Sequence, residues 1–304
     1  MTHRVVSIGE CMVEMSGGDG GQYRMGVAGD TLNTAWYARA ALGADWQVDY
    51  FTALGDDLYS SRIRTFLDNN AIGTSHIQRI SNRRPGLYLI HQAEGDRQFT
   101  YWRENSAARL LAEDRSKINA ALKGAEMIYF SGITMAILNP SSRENLLAEI
   151  ATARQNGAKV GYDPNIRPAL WADKAAIAAG IEQAAQVADF ALPTFDDDAA
   201  VFGDADAQTM AGRYHGYGVG EVVVKNGAKP ALISTSEGAG EVAAEQVATV
   251  LDATGAGDSF AGTYLSARLC DKTPEAAVRA AHAIAAVVIG HAGALVPYAK
   301  LGSA

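Results

Sequence analysis

The sequence predicts an α/β fold built on one mostly parallel central sheet, and three observations carry that prediction. Short β-like runs alternate with helical stretches along most of the chain, the rhythm of β-α-β units. Glycines close many of these segments, where helix ends and strand turns need them. One region, about 74–105, departs into short alternating runs separated by turns, which marks a second and smaller β element.

Taken in order, Val5, Val6 and Ile8, then Cys11, Val13 and Met15, alternate as a strand broken at Gly9. Residues 31–42 are helical and stop at Gly43, after which VDYFTALGDD reads as a buried strand entering a glycine turn. The runs IQRI, GLYLIHQ and RQFTYWR, spaced by SNRRPG and AEGDR, read as antiparallel hairpins. Beyond Ser106 the alternation resumes, with helix 117–123, strand 127–132, helix 141–156, strand 159–163, helix 173–187 and strand 189–193. It continues as helix 206–217, strand 221–227, an antiparallel pair ALISTS and GEVAAEQV, and helices 257–270 and 274–290. Residues 1–304 therefore read as a single α/β unit whose β insertion is formed by about 10–28 and 74–105.

Composition narrows the function classes. Apolar residues are 48% and charged residues 20%, ordinary for a globular chain and unlike disorder or a coiled coil. With 26 basic and 34 acidic residues the formal charge is −8 and no long basic run occurs, which argues against nucleic acid or an anionic membrane surface as partner. Cys11 and Cys270 form no CxxC and no metal-spaced cluster, so a reducing compartment is expected. The start runs directly into strand-like alternation without the regions of a signal peptide, and no apolar run approaches the roughly 18 residues of a membrane span. A cytoplasmic location is the expectation.

The segment LDATGAGDSFAGTYLSA, 251–267, carries the strongest chemical signal. Gly255, Ala256 and Gly257 let the chain turn tightly into a helix whose first N–H groups and dipole favour negative charge. Asp258 then stands in the first turn, placed to take a proton from a hydroxyl that attacks phosphorus. An ordinary glycine-rich helix start with a stabilising first-turn acid fits this segment alone equally well. No Walker A pattern and no GxGxxG after the first strand occurs, which removes those phosphate and dinucleotide cradles.

DATGAGDSFAG resembles the C-terminal signature of the ribokinase-like (PfkB) carbohydrate kinases, and VAGDTLNTAWYARAALG at 27–43 resembles the other family signature. TALGDDLYS at 52–60 is similar to the family's glycine-Asp turn. The resemblance implies a three-layer α/β/α body with a small β lid, ATP and magnesium as cosubstrate and cofactor, and Gly29, Asp30 and Asn33 as sugar contacts. AGDTLNTA, RPGLYLI, FTYWRENSAA and YDPNIRPALWAD are further similar to segments of family members that act on 2-keto-3-deoxygluconate. Physical reasoning agrees: a sugar acid needs a cation, and guanidinium binds carboxylate through two parallel hydrogen bonds. By the resemblance, Tyr88, Tyr101 and Arg103 on the insertion would meet the open-chain acid and Arg167 would reach it from the body. A solvated strand arginine and lid packing are the bland readings of those residues.

The resemblance also places Lys225, Asn226 and Gly227, with Asn165 and Arg167, along the nucleotide phosphates, although Asn226-Gly227 is equally an ordinary turn. Where many members carry Asn-x-x-Glu, this chain has Thr194 and Asp197, so no direct magnesium ligand is assigned. A monovalent cation such as potassium is implied near Asp252 and Ala253. The expected reaction is phosphorylation of the 6-hydroxyl of 2-keto-3-deoxy-D-gluconate, with Asp258 as base and the amides of Gly255–Asp258 as the anion hole. A kinase for fructose or ribose, one for the galactonate epimer, and a sensor without turnover are the competing readings. An intact GAGD with a poised acid argues against the sensor. The exposed face of the lid is expected to pair with another copy as a homodimer or higher oligomer.

Overall fold

The computed structural model describes residues 3–17, 21–93 and 96–301. Both ends of the 1–304 unit, residues 18–20 of the insertion and 94–95 of the AEGDR turn lie outside the described residues.

The chain opens with β1 (His3–Ile8), crosses to a small sheet as β2 (Met12–Gly17) and β3 (Tyr23–Ala28), and returns through α1 (Asp30–Ala41) to β4 (Trp46–Phe51). β5 (Ala53–Leu54), α2 (Leu58–Asn69), β6 (Ile72–Gly73) and β7 (Gln78–Arg79) lead to the hairpin β8 (Gly86–Ala93) and β9 (Asp96–Trp102). The body resumes with α3 (Arg115–Leu122), β10 (Met127–Ser131), α4 (Gly132–Ile137), α5 (Pro140–Gln155), β11 (Lys159–Asp163), α6 (Lys174–Ala185) and β12 (Phe190–Ala191). It closes with α7 (Phe195–Phe202), α8 (Ala207–Gly216), β13 (Glu221–Val224), β14 (Ala231–Thr235), β15 (Gly238–Val242), α9 (Ala256–Leu269) and α10 (Pro274–Ile289).

Nine strands form the central sheet in the order β15-β14-β13-β12-β11-β10-β1-β4-β6, parallel from β13 to β6 and antiparallel at β14 and β15. Strand alternation divides the apolar residues between its two faces, so that Val6, Ile8, Ile128 and Phe130 join one core and Val5, Met127 and Tyr129 the other. Ile118, Leu146, Ile177 and Met210 bring α3, α5, α6 and α8 onto the first face, while Leu32, Ile63, Phe260 and Val278 bring α1, α2, α9 and α10 onto the second. The result is the three-layer α/β/α body. Burying each large side chain contributes roughly 1.5–3 kcal/mol, which anchors the strand ends that carry the site.

The small sheet has the order β3-β2-β8-β9. β8 and β9 form the expected antiparallel hairpin, but β2 and β8 pair in parallel because both leave the body at the same root, with Met12 beside Gly86. The IQRI run does not join this sheet: Gln78 and Arg79 pair in parallel with Ala53 and Leu54 of the body. Among the described residues no helix is long and apolar enough to cross a membrane.

Candidate active site

Helix caps separate the site from the rest of the fold. Asp57, Asp114, Ser131, Asn139, Asp173, Asp206 and Thr273 each accept a backbone N–H at the start of their own helix. α1, α7 and α9 instead begin at Gly29, Thr194 and Gly255 with no side-chain cap, which leaves donors at their first turns. The amide of Ala256 already donates to the Ala253 carbonyl at 3.2 Å, so among the described residues the predicted anion hole falls to the other amides of the turn, those of Gly255, Gly257 and Asp258. Gly255 supplies the left-handed turn into α9 at φ 79°.

α1 and α9 pack against each other closely enough for Gly262 to be required: a Cβ there would stand 2.4 Å from the Thr34 carbonyl oxygen. That approach brings Asn33 to Asp258, and the Asn33 side-chain amide donates to Asp258 Oδ2 at 2.7 Å. Burial pushes the Asp258 carboxyl up to about 7, and the neighbouring carboxylates of Asp30 and Asp163 add repulsion against the pull of Asn33 and Lys225. A carboxyl in that range can accept a proton at neutral pH.

The acids are tied together. The Asn165 side-chain amide donates to Asp30 Oδ2 at 3.0 Å, and its backbone N–H donates to Asp163 Oδ1 at 3.0 Å. Lys225 Nζ donates to the other oxygen of Asp163 at 2.5 Å and lies beside Gly257, 3.3 Å from where a Cβ would stand. Burial holds Asp163 above the ordinary carboxylate range even though the Lys225 ammonium pulls it down. Asn165 thus joins the predicted sugar residue Asp30 to Asp163. Asp163 was absent from the sequence-derived site, although it ends a strand within the singled-out YDPN segment, the usual place for a functional side chain in such sheets.

On the small sheet, Tyr88 donates its hydroxyl to Glu14, and its ring lies 5.5 Å from that of Tyr101. Arg103 is buried and donates to the carboxylate of buried Glu10, with its guanidinium over the Tyr101 ring. Arg167 is half exposed, 3.5 Å from Asp197, and donates to its neighbour's carbonyl. Burial raises the Tyr101 hydroxyl while Arg103 and Arg167 both pull it down, so two positive charges act on that one position. Gly29, Asp30 and Asn33 sit at the start of α1. Half-buried Asn226 and exposed Gly227 enter a turn, the Asn226 carbonyl accepting from Lys229 at 2.9 Å. Asp252 accepts amides from Thr254 and Gly293 at 2.9 and 2.7 Å and so pins the loop leading into Gly255.

Comparison with known proteins bears on the family and the fold. The family model described as pfkB family carbohydrate kinase matches residues 2–300. The 2-dehydro-3-deoxygluconokinase of Escherichia coli K12 is 40% identical over 304 residues, covering 98% of each chain. The crystal structure of a PfkB protein from Polaromonas sp. JS666 superposes with a TM-score of 0.86 at 26% identity over the whole of both chains. A fructokinase with bound ATP from Xylella fastidiosa shares the fold at a TM-score of 0.84 and 21% identity, over 100% of this chain and 97% of that one.

Proposed function

The chain belongs to the pfkB family of carbohydrate kinases, and from that premise we propose that it transfers the γ-phosphoryl group of ATP to the 6-hydroxyl of 2-keto-3-deoxy-D-gluconate, also called 2-dehydro-3-deoxygluconate. The observation that carries the reading is Asp258 in the first turn of the uncapped helix α9, held by Asn33 and raised to about 7. As the 6-oxygen attacks phosphorus, Asp258 takes the hydroxyl proton while the bond from phosphorus to the bridging oxygen of ADP breaks. The amides of Gly257 and Asp258 with the Lys225 ammonium meet the negative charge that develops on the phosphoryl oxygens.

The uncapped start of α9 and the Lys225 ammonium fit a phosphate chain, and Gly255, Asn165, Arg167, Asn226 and Gly227 are the residues the family resemblance sets along it. Magnesium carried by the phosphates would spread the transferring charge, and Asp163 and Asp197 are carboxylates that could take up its water shell. Potassium against the Asp252 loop is the further cofactor reading, tested by activity in potassium against sodium. Gly29, Asp30 and Asn33 supply hydroxyl-matching groups, and Tyr88, Tyr101, Arg103 and Arg167 supply the carboxylate end. A guanidinium at Arg103 or Arg167 is what a sugar acid would use and a neutral sugar would not.

The test compares ADP release with 2-keto-3-deoxygluconate, its galactonate epimer, fructose and ribose, in the wild type and in Asp258→Asn. Preference for the keto acid, with kcat reduced about 10²–10⁴-fold in the variant, is the expected result. Better turnover of fructose or ribose would overturn the carboxylate assignment, and unchanged kcat in Asp258→Asn would overturn the base.

A further inference from the structure

We propose that Glu10 is the positioning residue for Arg103, fixing the guanidinium that receives the substrate carboxylate at the root of the lid. The inference rests on the carboxylate role given to Arg103 above. The small sheet joins the body at four places: between β1 and β2, between β3 and α1 at Gly29, before β8 at Gly86, and after β9 at Arg103. Glu10 lies in the first and touches the other three. Its carbonyl oxygen is 2.2 Å from where a Cβ on Gly29 would stand, and its Oε1 is 2.8 Å from where one on Gly86 would stand. Its Oε2 accepts from Nη2 of Arg103.

The pair is buried, Glu10 being 1% and Arg103 7% exposed, and it is incomplete: Glu10 Oε1 and Arg103 Nε are both buried without a hydrogen-bond partner among the described residues. Stability alone is a poor reason for such a pair, because apolar residues of the same volume commonly do as well and an unpaired buried polar atom is costly. Orientation is the better reason. A guanidinium gripped at one Nη by Glu10, with its carbon 5.8 Å from the centroid of the Tyr101 ring, is restricted in direction, and a carboxylate that binds through two parallel hydrogen bonds gains from a direction set before it arrives. Since Glu10 also touches the other lid crossings, it ties the arginine's direction to the position of the lid.

The experiment measures kcat and KM for 2-keto-3-deoxygluconate in Glu10→Gln, Arg103→Ala and the double variant, with melting temperatures from circular dichroism. Glutamine keeps an acceptor and the side-chain volume, so Glu10→Gln serves where Glu10→Ala fails to fold. The expected result is a KM raised on the order of tenfold in Glu10→Gln with kcat changed less than about twofold, and no further rise when Glu10→Gln is added to Arg103→Ala. A folded Glu10→Gln with wild-type KM, beside an Arg103→Ala of raised KM, overturns the positioning role alone, as do additive effects in the double variant. An Arg103→Ala of unchanged KM overturns the carboxylate role of Arg103 and this inference with it.

Discussion

Asn33 on α1 donates to Oδ2 of Asp258 on α9 across 2.7 Å, joining positions 225 residues apart in the chain. This contact lowers the affinity of Asp258 for its proton, against burial and the Asp30 and Asp163 charges that raise it. Two readouts follow, because a base works only when deprotonated and kcat/KM reports the free enzyme. The wild-type profile should fall on the acid side with an apparent pKa near 7, and Asn33→Ala should move that limb to higher pH. A limb near 4 in the wild type would mean that Asp258 is not the titrating base.

The same carboxyl has a consequence for stability. Its folded value, about 7, lies above the ordinary 3.8, so the folded state binds more protons between those values and stability falls as pH rises through the window. Asp258→Asn removes the charge and should therefore raise the melting temperature more at pH 8 than at pH 5, while lowering kcat. Equal melting temperatures for wild type and variant at pH 8 would show that the carboxylate carries no desolvation cost.

Lys225 and Asp163, 2.5 Å apart and both buried, form the second electrostatic unit of the site. Lys225→Met leaves a buried carboxylate without its cation and should cost on the order of 3 kcal/mol in denaturant unfolding. Adding Asp163→Asn should restore much of that stability, since a neutral pair carries no uncompensated charge, yet leave phosphoryl transfer impaired. Recovery of activity along with stability would remove the ammonium from the chemistry.

What was legible in the chain follows from how local each signal is. The turn into α9 and the Asp258 that follows are set by neighbouring residues, as is the start of α1 at Gly29, Asp30 and Asn33, and the structure places these two segments together. Asp163 and Glu10 acquire their roles only through partners 62 and 93 residues away, Lys225 and Arg103, and nothing in a strand end or a strand connection announces such a partner. Strand direction was hidden for the same reason. β2 and β8 have the alternation of hairpin strands, but their parallel pairing depends on where both leave the body. Asn226-Gly227 has the turn geometry that its dipeptide favours, with Gly227 at φ 57°.

Gly262 ties the signature segment to the base through packing alone. A Cβ at this position would meet the Thr34 carbonyl oxygen at 2.4 Å and the Ala38 backbone nitrogen at 3.1 Å, and backbone cannot rotate away as a flexible side chain would. Gly262→Ala must therefore push α9 off α1 by some tenths of an ångström, and the Asn33–Asp258 hydrogen bond spans those same two helices. Overpacking of this kind costs roughly 1–3 kcal/mol, while the gain in helix propensity from glycine to alanine offsets up to about 1 kcal/mol. The net change in unfolding free energy should be modest. The kinetic change should be larger, because lengthening the Asn33–Asp258 hydrogen bond raises the proton affinity of Asp258 and misplaces it against the hydroxyl it serves. Gly262→Ala is thus expected to shift the acid limb of kcat/KM upward in the manner of Asn33→Ala and to lower kcat. A variant with wild-type pH dependence would show that the two helices can part without disturbing the base.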